Sequence, residues 1–330
     1  MDASNKKQYL EFCEKVYVPI YSKPWWLDAI CLPENWDVWL SVENGTVVAA
    51  MPYYFENRNG RKYITKAPLS QNNGLLFCYP DNAKTTAKAA FEEKTIDKAC
   101  EFIASLGLDV YEQQYQPSFK NWLPFLWNHY SAITRYTYVI DDTSDLDTVW
   151  SNIISKRRSI VRKGQKNSAL SEISIEDFYL EHEKIYKKQG LACPFSFDLW
   201  ERAATACLSH KSGKVSCRLT EGGGVAAVSF VAWDEKSLYK LMGGPIPEYA
   251  NLDAYSALTW DEIELAHDLG LVYDFEGSVI KRISKSFREY GAEPQPYFRI
   301  RKVFNPDIIR EEAEISIRQL CQGESNHAVS

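Results

Sequence analysis

Toward the carboxyl end of the chain lie residues of the types and spacing that proton transfer to and from an amine requires. In the run Tyr273-Asp274-Phe275-Glu276, the alternation expected of a strand puts Asp274 and Glu276 on one face and Tyr273 and Phe275 on the other. A carboxylate at the open end of a sheet can accept a proton from an attacking amine, directly or through water, and Glu276, nearest the strand's end, is the better placed of the two. The competing role is structural, with Asp274 bonding neighbouring backbone and Glu276 pairing with a cation. Tyr239, on the preceding expected strand, is a candidate acid for a leaving group, or else a packing residue. An amine attacking an ester or thioester needs a base, oxyanion donors and alignment, but no covalent nucleophile.

A second chemical signal lies upstream. Residues 151–167 hold Lys156, Arg157, Arg158, Arg162, Lys163 and Lys166 and no acid, with Ile153, Ile154, Ile160 and Val161 at helical spacing between them. A basic-faced helix of this kind suits phosphate, and Lys156, Arg158 and Arg162 are its candidate contacts, Arg158 and Arg162 sharing a face at i, i+4. The alternative is a solvated face paired with nearby acids. Other signals fail on spacing. His182-Glu183 opens like a zinc-protease motif but has Tyr186 where the second histidine belongs, and 222–224 is a hairpin turn, not a phosphate loop. The eight cysteines form no C-x-x-C pair, which fits reduced, mostly buried thiols and neither a metal site nor a disulfide framework.

The elements that position these residues come in a repeating order. Strands at 37–43 and 46–55 flank Asn44-Gly45, and strands at 215–221 and 225–233 flank 222–224. Glu43, Gly45, Val47 and Ala49 match Glu221, Gly223, Val225 and Ala227 at a constant offset. Each hairpin is followed by a strand (62–67; 237–242), a glycine-bearing loop, a long helix (86–106; 252–269) and another strand (108–113; 271–275). A shorter helix (118–128; 280–290) and a final strand (134–140; 297–304) close each copy. Helices at 146–166, 175–189 and 197–210 open the second copy, a helix at 307–320 ends the chain, and 321–330 is expected to fray. The domains expected are 1–145 and 146–306, with 307–330 as helix and tail.

At 330 residues, 45% hydrophobic and 25% charged, the chain can bury two ordinary cores, which excludes disorder. The net charge of -6 argues against general nucleic-acid binding. No apolar run reaches the ~18 residues of a membrane span and no secretory signal is read at the start, so the expected address is cytoplasmic.

The order of elements resembles the GNAT N-acyltransferase fold in tandem. The segments Lys156-Arg157-Arg158-Ser159-Ile160-Val161-Arg162-Lys163, Tyr273-Asp274-Phe275-Glu276-Gly277-Ser278 and Phe287-Arg288-Glu289-Tyr290-Gly291, with Pro24-Trp25-Trp26-Leu27-Asp28, resemble the FemABX family and its BioF-like acyltransferase relatives. The resemblance implies an α+β fold of two GNAT-like domains, each a mostly antiparallel twisted sheet flanked by helices. It implies transfer of an acyl or aminoacyl group from a thioester or ester carrier, acyl-CoA or aminoacyl-tRNA, to an amine, with a bacterial cell-wall or surface-polymer precursor as acceptor. No tightly bound cofactor is expected. Backbone amides near Met242 and Gly243 would form the oxyanion site. Gly243 and Gly244 with Asn251 and Leu252, near which the long helix is expected to begin, would face the carrier's phosphates. Arg288 stands one position after Phe287, which occupies the place of the family's lysine in F-K-x-x-F-G. Trp25 and Trp26 either line a substrate groove or pack in the core. The reading from another class is a catalytically inactive tandem domain that binds a phosphorylated ligand or RNA through the basic helix.

Overall fold

In a computed structural model of the chain, which describes residues 3–321, the contacts divide it into two units, Met1–Arg135 with Pro296–Ser330, and Tyr136–Gln295. Residues 322–330 of the expected frayed tail lie outside the described residues. In chain order the elements are α1 (Ala3–Cys13), α2 (Pro24–Cys31), β1 (Trp36–Glu43), β2 (Thr46–Arg58), β3 (Arg61–Thr65), β4 (Leu76–Phe77), α3 (Thr85–Ser105), β5 (Val110–Gln114), α4 (Leu123–Trp127) and β6 (Ser131–Ile140). There follow α5 (Leu146–Asn152), α6 (Ser155–Asn167), β7 (Ala169–Glu172), α7 (Ile175–Lys187), α8 (Phe197–Ser209), β8 (Gly213–Leu219), β9 (Val225–Trp233) and β10 (Ser237–Pro245). The chain ends with α9 (Ala254–Leu269), β11 (Val272–Asp274), α10 (Lys281–Glu289), β12 (Glu293–Val303) and α11 (Pro306–Cys321).

In the first unit β1, β2 and β3 form an antiparallel run, β4 adds to β2, and β3 pairs in parallel with β5. In the second, β7, β8, β9 and β10 run antiparallel and β10 pairs in parallel with β11. A parallel pair needs a crossover, and α3 and α9 supply it. α3 buries Ile96, Ala99, Cys100 and Ile103, the i, i+3, i+4, i+7 stripe of a helix with one covered face. α9 is buried almost all round, because the sheet covers one side and α6 the other. The two helices come close at Gly164, where an added Cβ would run into the Asp253 carbonyl oxygen and lie 2.9 Å from Ala257 Cβ.

The sheets and helices follow the repeat read from the sequence in outline, and two of the differences bear on the domains. The final strands are exchanged: β12 pairs antiparallel with β5 of the first unit, and β6 pairs antiparallel with β11 of the second. The second compact unit therefore begins at 136 and ends at 295, where the sequence suggested 146 and 306, because strand pairing binds each terminal strand to the unit whose parallel strand it completes. The other difference is that the helix expected over 146–166 is two helices. Ile153 and Ile154 are extended, and the Ile154 N–H donates to Glu289 O at 3.1 Å, so α6 starts where α10 ends. Among the described residues no helix is long and apolar enough to cross a membrane.

Candidate functional site

The β10–β11 ladder is short. It holds from Ser237↔Val272 to Tyr239↔Asp274, after which β11 ends and β10 continues to Pro245 against β9, with a bulge between Lys240 and Met242. The two strands therefore part at Tyr239 and Asp274. Bulges and strand ends of this kind aim backbone and side chains at a ligand.

Asp274, 5% exposed, sits at the parting point. Its Oδ1 accepts from the Thr137 hydroxyl on β6 and, at 2.7 Å, from the Glu276 N–H. Both bonds fall on one oxygen, so among the described residues Oδ2 has no hydrogen-bond partner. Burial pushes the carboxyl up to about 7, the nearby Asp234 and Asp141 push the same way, and the two hydrogen bonds oppose the rise. A carboxyl near neutrality with one unbonded oxygen can take and return a proton at physiological pH.

Beyond Asp274 the chain turns along β6. The Phe275 N–H donates to Tyr138 O at 2.9 Å, Glu276 takes a left-handed backbone with φ 59°, and Gly277 packs where any Cβ would strike the Tyr136 carbonyl oxygen. Glycine at 277 is thus required by contact and not by φ. The ranking made from the sequence, Glu276 ahead of Asp274, is not what the geometry favours: Glu276 is half-buried in the turn and Asp274 has the buried, perturbed position. Thr137, which holds Asp274, escaped the sequence reading. It lies 137 residues away, on a strand whose pairing with β11 leaves no local signal.

Tyr239, Met242 and Gly243 are within β10, Asp274 ends β11, and Glu276 is in the turn after it. The Tyr239 hydroxyl donates to Asp234 Oδ2 at 2.9 Å, and Asp234 also accepts the backbone N–H groups of Lys236 and Ser237, so this tyrosine is tied to the β9–β10 turn. Gly243 and Gly244 are not in a loop, as the sequence reading had them. They are strand residues in register with Ser229 and Val228, and an added Cβ at Gly244 would lie 2.9 Å from Ile185 Cδ1 on α7. A 3-10 helix spans Pro247–Leu252, so α9 starts at Ala254 and not near Leu252. At that start the Asp253 carboxylate and the Asn251 carbonyl both accept from Lys163 Nζ, at 2.7 and 2.8 Å. An acid and a carbonyl there oppose a pyrophosphate, so the residues present do not make the carrier-phosphate cradle expected from Gly243, Gly244, Asn251 and Leu252.

The basic helix divides by face. Arg158 donates to the carbonyls of Trp150, Ser151 and Ile153 at 3.3, 2.9 and 2.7 Å, capping the C-terminus of α5. Arg162 lies over the Trp150 ring at 5.1 Å. Arg157 pairs with Glu289 and bonds Ser256 and Ser286, both at 3.2 Å, which locks α6 to α9 and α10. Lys156 is exposed, as are Lys281, Arg282, Lys285 and Arg288 on α10. On α6 Arg162, Lys163 and Lys166 are exposed as well, so exposed cations lie on both helices, and the sequence reading credited α10 with Arg288 alone.

Trp25 and Trp26 are in the first unit. Trp26 is buried, with its indole N–H donating to Ser70 Oγ at 2.9 Å and its ring edge-on to Trp25 and Tyr21, which is the packing alternative. His182 is buried between aromatic rings on α7, and burial pulls its imidazole down to about 4. Among the described residues no three His, Cys, Asp or Glu side chains are grouped to hold a metal ion.

A family model described as an acetyltransferase (GNAT) domain matches residues 152–291, inside the second unit. No curated protein matches the sequence. Among solved structures the chain is similar to FemX, with TM-score 0.68 and 11% identity over 94% of this chain and 98% of that one. It is similar to a tandem GNAT protein from the clavulanic acid biosynthesis pathway, with TM-score 0.53 and 11% identity over 92% and 95%. It is also similar to the C-terminal domain of a putative lysylphosphatidylglycerol synthetase from Agrobacterium fabrum, with TM-score 0.56 and 9% identity over 98% and 100%. The repeated order of elements, the parted parallel strands and the comparisons point the same way: residues 152–291 match the GNAT acetyltransferase domain, and the chain has a tandem GNAT fold.

Proposed function

We propose that the second unit transfers an acyl or aminoacyl group from a thioester or ester carrier to an amine, with Asp274 as general base. The observation that carries this reading is the buried Asp274 carboxyl at the end of β11, raised to about 7 and with Oδ2 unbonded. Oδ2 takes a proton from the neutral amine of the acceptor as its nitrogen bonds to the carrier's carbonyl carbon, and the bond to sulfur or oxygen breaks. Backbone N–H groups at the β10 bulge, near Met242, are the candidate donors to the oxyanion. The proton held at Asp274 then returns to the leaving group.

The carrier's phosphates are assigned to the exposed cations Lys156, Arg162 and Lys166 of α6 and Lys281, Arg282, Lys285 and Arg288 of α10, since Lys163 is already paired at the start of α9. Acyl-CoA and aminoacyl-tRNA are both carriers of that chemistry, and an amine on a bacterial cell-wall or surface-polymer precursor is the acceptor the reading favours. The test is transfer of label from acyl-CoA or aminoacyl-tRNA to a panel of amines by the wild type and Asp274→Asn. Transfer by the wild type that falls roughly 100- to 10,000-fold in the variant supports the assignment. Equal transfer by both removes Asp274 from the mechanism. Salt-sensitive binding of a carrier without product under any donor favours the inactive binding domain, for which the acid at the start of α9 already speaks.

A further inference from the structure

The first unit has a cavity of its own, about 220 Å³, which the transferase reading does not use. Its apolar wall includes Tyr17, Phe77, Tyr79 and Phe119, and Phe77 lies 5.7 Å from Tyr79 and 6.5 Å from Phe119, centroid to centroid. Two opposite charges line the same space, Glu92 on α3 and Lys120 after β5. Among the described residues no ion pair joins them. Glu92 Oε1 accepts from the Tyr79 hydroxyl at 2.6 Å, which holds the carboxylate beside the aromatic wall and leaves Oε2 for another donor. A third polar group, Gln116, is 9% exposed. Its amide N–H donates to Leu75 O at 2.8 Å, while its amide oxygen has no partner among the described residues.

These groups make a consistent demand on a ligand. Aromatic faces attract cations, and a carboxylate with an unbonded amide oxygen accepts the hydrogens of an ammonium. An exposed ammonium at Lys120 suits a carboxylate. Opposite charges that line one cavity without pairing are bridged by a molecule carrying both signs. The volume falls below the range of drug-sized sites, which leaves room for a small molecule only. We infer that this cavity binds a free α-amino acid with an apolar side chain: the ammonium at Glu92 and Gln116, the carboxylate at Lys120, the side chain on Phe77 and Phe119. The site belongs to the first unit and stands whether or not the second is a transferase.

The test is calorimetric titration of the full chain with L-leucine, N-acetyl-L-leucine and L-leucinamide, repeated on Glu92→Gln and Lys120→Ala. Both substitutions are on exposed or half-exposed side chains, and an unchanged melting temperature checks that each variant is folded. L-Leucine is expected to saturate one site. Acetylation, which removes the ammonium, and Glu92→Gln should each weaken binding about tenfold or more. The amide and Lys120→Ala should weaken it less, because that end is in water. Equal affinity for L-leucine and its N-acetyl derivative overturns the inference, as does unchanged affinity in Glu92→Gln, or no saturable binding of L-leucine.

Discussion

Asp274 ties the proposed transfer to stability through one proton. Its carboxyl, ordinarily near 3.8, is raised to about 7 by burial, so between those values the native state binds a proton that the unfolded chain has released. Stability from this group is present at low pH and is lost as pH rises through 7, an effect on the order of 4 kcal/mol. Urea unfolding of the wild type should show that decline from pH 4 to 8, and Asp274→Asn should lack it; parallel pH profiles would mean the carboxyl is not perturbed. For turnover the sign reverses. In the proposed transfer Asp274 acts when ionised, so kcat/KM should fall as pH drops below about 7. Two residues on, the left-handed backbone of Glu276 has a cost that glycine does not bear. Glu276→Gly is expected to raise stability by about 1 kcal/mol and Glu276→Ala to leave it unrelieved, as melting curves of both would reveal.

At the scale of elements, one face of α6 serves as a clamp. Arg158 satisfies the last carbonyls of α5, Arg157 binds Glu289 at the end of α10, and Gly164 brings the helix against the start of α9. Arg158→Ala should therefore cost about 1–2 kcal/mol in chemical denaturation, the loss of a cap and its hydrogen bonds, with carrier affinity unchanged. The paired change Lys285→Ala with Arg288→Ala on exposed α10 should do the opposite, leaving stability alone and lowering the salt slope of carrier binding by about two. Gly164→Ala puts a methyl group against Asp253 and Ala257 and should destabilise by about 1–3 kcal/mol.

Over the whole molecule, the exchanged strands decide what folds with what. β6 completes the second unit and β12 the first, although each follows the other unit's helix in the chain. A fragment of residues 136–295 retains β6 residues against β11 and should unfold cooperatively by circular dichroism. A fragment of 146–306 lacks that strand and carries β12 without its partner β5, which leaves an open apolar edge. It is expected to be poorly folded or aggregated; equal cooperativity in the two fragments would refute the boundary.

The repeat, the hairpins and most helices were legible along the chain because they depend on turn residues and on apolar periods within a few turns or strand steps. Asn44-Gly45 and the Ile96-to-Ile103 stripe of α3 are of this kind. Asp274 and Tyr239 were also recognisable as candidates, since residue type and the strand's alternation are local. What the linear order left open depends on partners far away in it. The exchange of β6 and β12 is a choice between strands of similar pattern, and only pairing register separates them. The rank of Asp274 above Glu276 rests on burial and on Thr137, and the employment of Arg158 as a cap rests on the break between α5 and α6. Charge and type are properties of a residue, whereas the proton affinity and the partner of a side chain are properties of its surroundings, which exist only once the chain has folded.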